Sequence, residues 1–186
     1  MWRLLAAVGS SLALIPLACG GEDSASQTGG TTGLERAPAA DRGLVAKLRA
    51  SGALGPDYDT SRLRIARRKD GFIFLAAPGR GLSRGSWCLI VSDEKAPTVR
   101  VTTFCGERAV LRSDDVFFTV GSAGEGDAGV PIYGIAVDGV ARVRSGDSSS
   151  NVVNNVFSLA VDGDEGELTL IYEDGTERAF DISGEI

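Results

Sequence analysis

Four Asp-Gly pairs punctuate the chain: Asp70-Gly71, Asp138-Gly139, Asp162-Gly163 and Asp174-Gly175. Asp-Gly suits the left-handed backbone that a tight hairpin turn demands. A chain that turns this often has little room for long helices, and the segments between the turns carry the period of two that a strand requires. In "RLRIARR", Leu63 and Ile65 alternate with arginines; "FIFLAA", "SWCLIVS", "TVRVTTFC", "VFFTV", "PIYGIAV", "VARVR", "NVFSLAV", "ELTLIYE" and "ERAFDI" follow. About ten short strands with frequent turns predict a mainly β fold, an antiparallel β-sandwich or an open barrel. The clearest hairpin is "GELTLIYEDGTERAFDI", which alternates on both sides of Asp174-Gly175. Before the strands, residues 36–55 place Leu44, Val45, Leu48 and Leu54 at roughly helical spacing after Asp41, which predicts one short N-terminal helix. With 25 glycines and 6% aromatic residues in 186, the composition is that of a turn-rich globular chain, and residues 36–186 suit a single domain.

The first residues are of another kind. Arg3 supplies one positive charge, and Leu4 to Leu17 is a mostly apolar run that ends at Pro16-Leu17-Ala18-Cys19. A bilayer span needs about 20 residues, so the run is too short to cross comfortably but fits the core of a signal peptide. A bacterial lipoprotein signal ends in a cysteine preceded by small residues, because the leader is removed only after that thiol carries lipid. "PLAC" resembles such a lipobox: Ala18 fits the position before the cysteine, while Leu17 and Pro16 stand where a small residue and a leucine are usual. The expectation is therefore a signal peptide over residues 1–18, a lipidated Cys19, and a tether reaching residue 35 whose "GGEDSASQTGGTTG" has no apolar face. An ordinary secretory signal followed by a free polar N-terminus is the alternative.

The chain has three cysteines. An unpaired thiol outside the cytoplasm is a liability, and acylation of Cys19 leaves Cys88 and Cys105 to pair. Their disulfide would close a loop of about 18 residues and contribute about 3 kcal/mol of stability. A catalytic thiol needs an activating partner, usually histidine, and the chain contains no histidine.

Residues 133–159 read "YGIAVDGVARVRSGDSSSNVVNNVFSL". This stretch resembles a motif of uncharacterised exported actinobacterial proteins, in which Gly-x-Val-Pro-Asp-Gly-Val precedes an alternating strand and then an Asn-Val-Phe strand. Gly134, Asp138, Gly139, Val140, Asn155, Val156 and Phe157 match, whereas Ala136-Val137 stands in place of Val-Pro. The paired cysteines upstream are similar to that group too, so the resemblance covers residues 60–182. It implies a β fold and export, and it carries over no activity and no catalytic residue. On the residues themselves, Asp138-Gly139 makes a tight turn, Val140 and Val143 enter a core, and Arg142 and Arg144 face outward together. Asn154 and Asn155 suit a loop braced by side-chain bonds to backbone. A ligand groove lined by Arg142, Arg144, Asn154 and Asn155 is the sharper expectation; a turn and strand kept for folding is the plainer one.

Charge narrows the functions. Residues 36–112 carry 15 basic and 7 acidic side chains, residues 113–186 carry 3 and 15, and the whole chain has a net charge of −6. An acidic surface gives no encouragement to nucleic-acid binding. "RLRIARRK" does gather Arg62, Arg64, Arg67, Arg68 and Lys69, either as a patch for anionic lipid headgroups or as a strand face whose arginines meet acids of the second half. "DGDEGE" at residues 162–167 collects carboxylates but puts Glu167 where a calcium loop needs glycine, so no metal and no cofactor is expected. The three lysines, Lys47, Lys69 and Lys95, sit in no Ser-x-x-Lys arrangement, and no catalytic residue is assigned. The expected protein is thus a non-enzymatic binding or structural β domain, lipid-anchored to the cell envelope outside the cytoplasm, whose partners are the membrane and an unidentified envelope protein or small ligand. The alternative is a secreted hydrolase, or a hydrolase inhibitor, that works through carboxylates.

Overall fold

The structure, a computed structural model, describes residues 30–81, 84–94, 101–105, 111–112, 115–121, 129–162 and 166–183. Cys19, the signal segment and most of the tether lie outside the described residues, as do Lys95 and the middle of the 162–167 acidic run. Among the described residues, two helices, α1 (Thr32–Arg36) and α2 (Arg42–Ala50), and a 3-10 turn (Thr60–Arg62) precede twelve strands.

The strands form three four-stranded antiparallel sheets. The first runs in order β1 (Arg64–Lys69), β2 (Phe72–Pro78), β3 (Trp87–Asp93) and β4 (Val101–Cys105). The second is built from β5 (Leu111–Arg112), β6 (Val116–Val120), β7 (Val130–Ala136) and β10 (Val156–Val161), in order β10-β7-β6-β5. The third takes β8 (Val140–Ser145), β9 (Ser148–Asn151), β11 (Glu167–Tyr172) and β12 (Glu177–Asp181), in order β12-β11-β8-β9. The mainly β, antiparallel class expected from the alternation is what the chain adopts, and its sheets are open and stacked, as in a sandwich, instead of closing into a barrel.

Alternation explains the stacking. On β7 and β6, Ile132, Ala136, Val116 and Phe118 pack with Val143, Leu168 and Leu170 of the third sheet. Their neighbours Ile135, Tyr133 and Phe117 pack on the opposite side with Phe74, Leu89 and Phe104 of the first sheet. The second sheet is therefore buried on both faces, between the other two. The far face of the first sheet, with Ile73, Leu75 and Ile90, is covered by Leu48 of α2, Tyr58 and Leu63. Cys88 and Cys105 are direct cross-strand partners on β3 and β4, with Cα atoms 4.0 Å apart, and form a buried disulfide.

Two helices stand where the helical spacing predicted one. The expected helix is α2: the Asp41 carboxylate caps it by accepting from Leu44 N at 2.8 Å, and Gly52 at φ +73° ends it as Ala53 N–H closes back on the Leu48 carbonyl at 3.0 Å. The second, α1, falls in the stretch read as tether, and one buried residue, Leu34, holds it to the core. Among the described residues no helix is long and apolar enough to cross a membrane.

Candidate functional site

The motif singled out in the sequence surrounds a polar cleft of about 340 Å³, lined by Gly33, Arg36, Asp138, Gly139, Asn154, Asn155 and Glu173 with Val137, Val140 and Val152. Its floor is made where β7 leaves the second sheet and β8 enters the third. The Asp138-Gly139 turn closes with Val140 N–H on the Val137 carbonyl at 3.4 Å, and Gly139 sits at φ +87°. A left-handed residue at that corner is easiest for glycine.

Facing the turn is the end of the β9–β10 connection, where Asn154 and Asn155 both hold positive φ, 47° and 64°. Asparagine tolerates this backbone better than most residues because its short amide bonds locally. Here the amides reach distant backbone. Asn154 Nδ2 donates to the Ala66 carbonyl at 2.9 Å, at the point where a bulge interrupts β1. Asn155, buried, donates through Nδ2 to the Ala136 carbonyl at 2.9 Å and to Asp138 Oδ1 at 3.0 Å.

Asp138 and Asn155 fasten α1. The first N–H groups of a helix have no partner within it, and in α1 they point at the turn. Thr32 N donates to both Asp138 carboxylate oxygens at 3.1 and 3.0 Å, Leu34 N donates to Asn155 Oδ1 at 3.1 Å, and Asp138 N donates to the Gly30 carbonyl at 2.7 Å. Close approach explains Gly33: a side chain there would collide with Asn155 Oδ1 and stand 3.0 Å from Asn154 Cα. Burial works to raise the Asp138 pKa, but the Thr32 and Gly33 backbone, the Thr32 hydroxyl and the Asn155 amide outweigh it and hold the carboxyl below its ordinary value.

The rest of the motif serves packing. A Cβ on Gly134 would collide with the Phe157 ring and lie 2.8 Å from the Phe117 carbonyl oxygen, so the missing side chain lets Phe157 reach the core. Val140 and Val143 are both buried although three residues apart, because the register slips at Ala141, where Ile171 pairs with Arg142 but Tyr172 with Val140. Arg142 and Arg144 are exposed, as the alternation implied, and neither lines the cleft; Arg144 pairs with Glu177 at 3.1 Å. The structure thus brings Asn154 and Asn155 together with Asp138, Arg36 and Glu173, and leaves the two β8 arginines on the outer face of the third sheet.

Sequence reasoning missed Asp138 as more than a turn residue, and missed Leu34 altogether. The signal for Asp138 was its place in the recurring motif beside Asn155. Leu34, a single apolar residue among polar ones, gave none.

Elsewhere, Arg178 pairs with Asp115 and lies 4.9 Å over the Phe180 ring, while burial and then the Asp115 carboxylate push the Tyr172 hydroxyl pKa up. The basic run on β1 is mostly engaged: Arg68 pairs with Glu94, Lys69 lies 3.9 Å from Asp70, Arg67 donates to Ser150 Oγ at 3.2 Å and the Asn151 carbonyl at 2.9 Å, and Arg64 donates to the Ala37 carbonyl at 3.3 Å. No protein-family model, curated protein or solved structure matches this chain.

Proposed function

We propose that the chain is a cell-envelope lipoprotein: acylated on Cys19, spaced from the membrane by the polar residues after it, and carrying a non-enzymatic β domain that binds or scaffolds outside the cytoplasm. One observation carries this reading. An apolar run of signal-peptide length ends at Ala18-Cys19, and a segment with no apolar face follows at once. Cysteine use supports it, since acylation of Cys19 removes the odd thiol from a chain whose other two cysteines are bonded to each other. So does the path of the chain downstream, where residues 30–37 are fastened to the sheets by Asp138 and Asn155, giving a tether a fixed point of attachment. The absence of histidine from the sequence argues against the common nucleophilic and acid–base mechanisms.

Metabolic labelling with a palmitate analogue tests the anchor. The wild type is expected to incorporate label and sediment with membranes, and Cys19→Ala to do neither. Equal release of the two proteins, both unlabelled, would overturn the proposal.

A further inference from the structure

We infer that the outer groove of α2 is the face that the domain lays on an anionic lipid surface, an inference that rests on the proposed anchor at Cys19. The groove, about 400 Å³, runs between α2 and the 3-10 turn, with Ala40, Val45 and Leu63 among its apolar lining and Arg42, Arg49, Thr60 and Ser61 as its polar lining. Arg42 and Arg49 are seven residues apart, two turns of helix, and so share one side of α2 about 10 Å from each other. Both are exposed, and neither has an acidic or hydrogen-bonding partner among the described residues. Arg62, next in sequence to Ser61, is likewise exposed and unpaired among them.

The chemistry of this face differs from that of the other basic regions. The four cations of β1, Arg64, Arg67, Arg68 and Lys69, are engaged by acids or carbonyl oxygens. Arg80 is held by Asp59 at 2.8 Å and Arg144 by Glu177. In a chain with 25 acidic side chains, unpaired arginines beside an apolar floor fit a partner that is anionic at its surface and apolar beneath. A phospholipid headgroup layer has that order of layers: guanidinium groups meet phosphates, and Val45 and Ala46 meet the roots of the acyl chains.

Chain length brings the two surfaces together. From Cys19 to Gly30 the chain reaches at most about 40 Å even if fully extended. An anchored domain therefore stays where a partial collapse of the spacer carries it within about 10 Å of the headgroups, the range over which charge acts at physiological salt. The chain's net charge of −6 opposes an anionic surface, so a face where unpaired arginines gather, as Arg42, Arg49 and Arg62 do, is favoured for contact.

The test uses the acylated full chain in vesicles, with a fluorophore on Ala46→Cys and a quencher carried on lipid headgroups. Flotation reports the anchor and quenching reports the docked face. With phosphatidylglycerol-rich vesicles, the labelled protein is expected to float and to be quenched; with phosphatidylcholine alone, or at raised salt, it is expected to float unquenched. Arg42→Gln and Arg49→Gln should each lower the docked-to-undocked ratio about fivefold. Lys47→Gln, on the opposite side of α2, should leave it unchanged. Equal melting temperatures of these surface variants serve as the folding control. Protein that floats but is not quenched on anionic vesicles, or whose quenching ignores both arginines, overturns the docking face and leaves the anchor standing. Protein that does not float overturns the anchor and this inference with it.

Discussion

The turns at Asp138-Gly139 and Asp174-Gly175 share a dipeptide and almost a backbone, with the glycines at φ +87° and +84° and open space where a Cβ would stand. Their work differs. Asp174 bonds only within its own loop, accepting from Thr176 N at 2.9 Å and Thr176 Oγ1 at 2.7 Å, and the turn joins β11 to its hairpin partner β12. Asp138 instead accepts from Thr32, more than a hundred residues away, and its turn joins strands of different sheets. A dipeptide thus specifies how sharply the chain bends. What the aspartate then holds depends on which donors the fold leaves unsatisfied within reach, and at Asp138 those donors are the first amides of α1.

Leu34→Ala should break the contrast most severely, because it removes the one buried side chain of α1 and leaves a cavity between the first and second sheets; a loss of about 3 kcal/mol is expected from denaturant unfolding. A loss below about 1 kcal/mol would mean that α1 is a surface ornament. Asn155→Ala strands the buried Ala136 carbonyl and leaves the Leu34 N–H with only the Thr31 carbonyl, and should cost about 2 kcal/mol. Asp138→Ala, at an exposed carboxylate where water replaces part of the loss, should cost about 1 kcal/mol. Asp174→Ala should leave the melting temperature nearly unchanged; a loss equal to that of Asp138→Ala would erase the distinction between the turns.

The pH dependence sharpens it further. The folded-state pKa of Asp138 is depressed, so its contribution is fully present above the ordinary aspartate pKa and is lost as pH falls through the folded value. The stability gap between wild type and Asp138→Asn should therefore be constant from neutral pH down to about 4 and close below it. A gap that persists in strong acid would show that the carboxylate's charge is not what holds Thr32.

Much of the strand layout was legible in the apolar pattern: the β11–β12 hairpin follows from a period of two, and the unbroken apolar run of β2 from burial on both faces. Three features were not. Asp138-Gly139 resembles a hairpin turn, yet β7 pairs with β6 and β10 while β8 pairs with β9 and β11, since partner choice is a long-range matter that local turn chemistry does not encode. The slip at Ala141 breaks alternation without a glycine to mark it. At five residues α1 is too short for helical periodicity, and an isolated helix of that length is unstable in water. It exists because Leu34 is inserted in the core and because Asp138 and Asn155 satisfy its amides, neither of which a linear reading of residues 30–37 contains. The candidate cleft was half legible for the same reason: its asparagines sit in the motif with Ala136 and Asp138, but their other partners, Leu34 and Ala66, come from far earlier in the chain.

The attachment of α1 also has a mechanical consequence. Gly30 is where a pull from the N-terminal side enters the described structure, and the bonds from Thr32 and Leu34 to Asp138 and Asn155 lie directly in its path. Tension reaches these few bonds before it reaches the described strands, so residues 30–37 peel first and release part of an extended length of about 25 Å as slack. They act as a sacrificial link that lets the domain ride out a tug while its sheets stay paired.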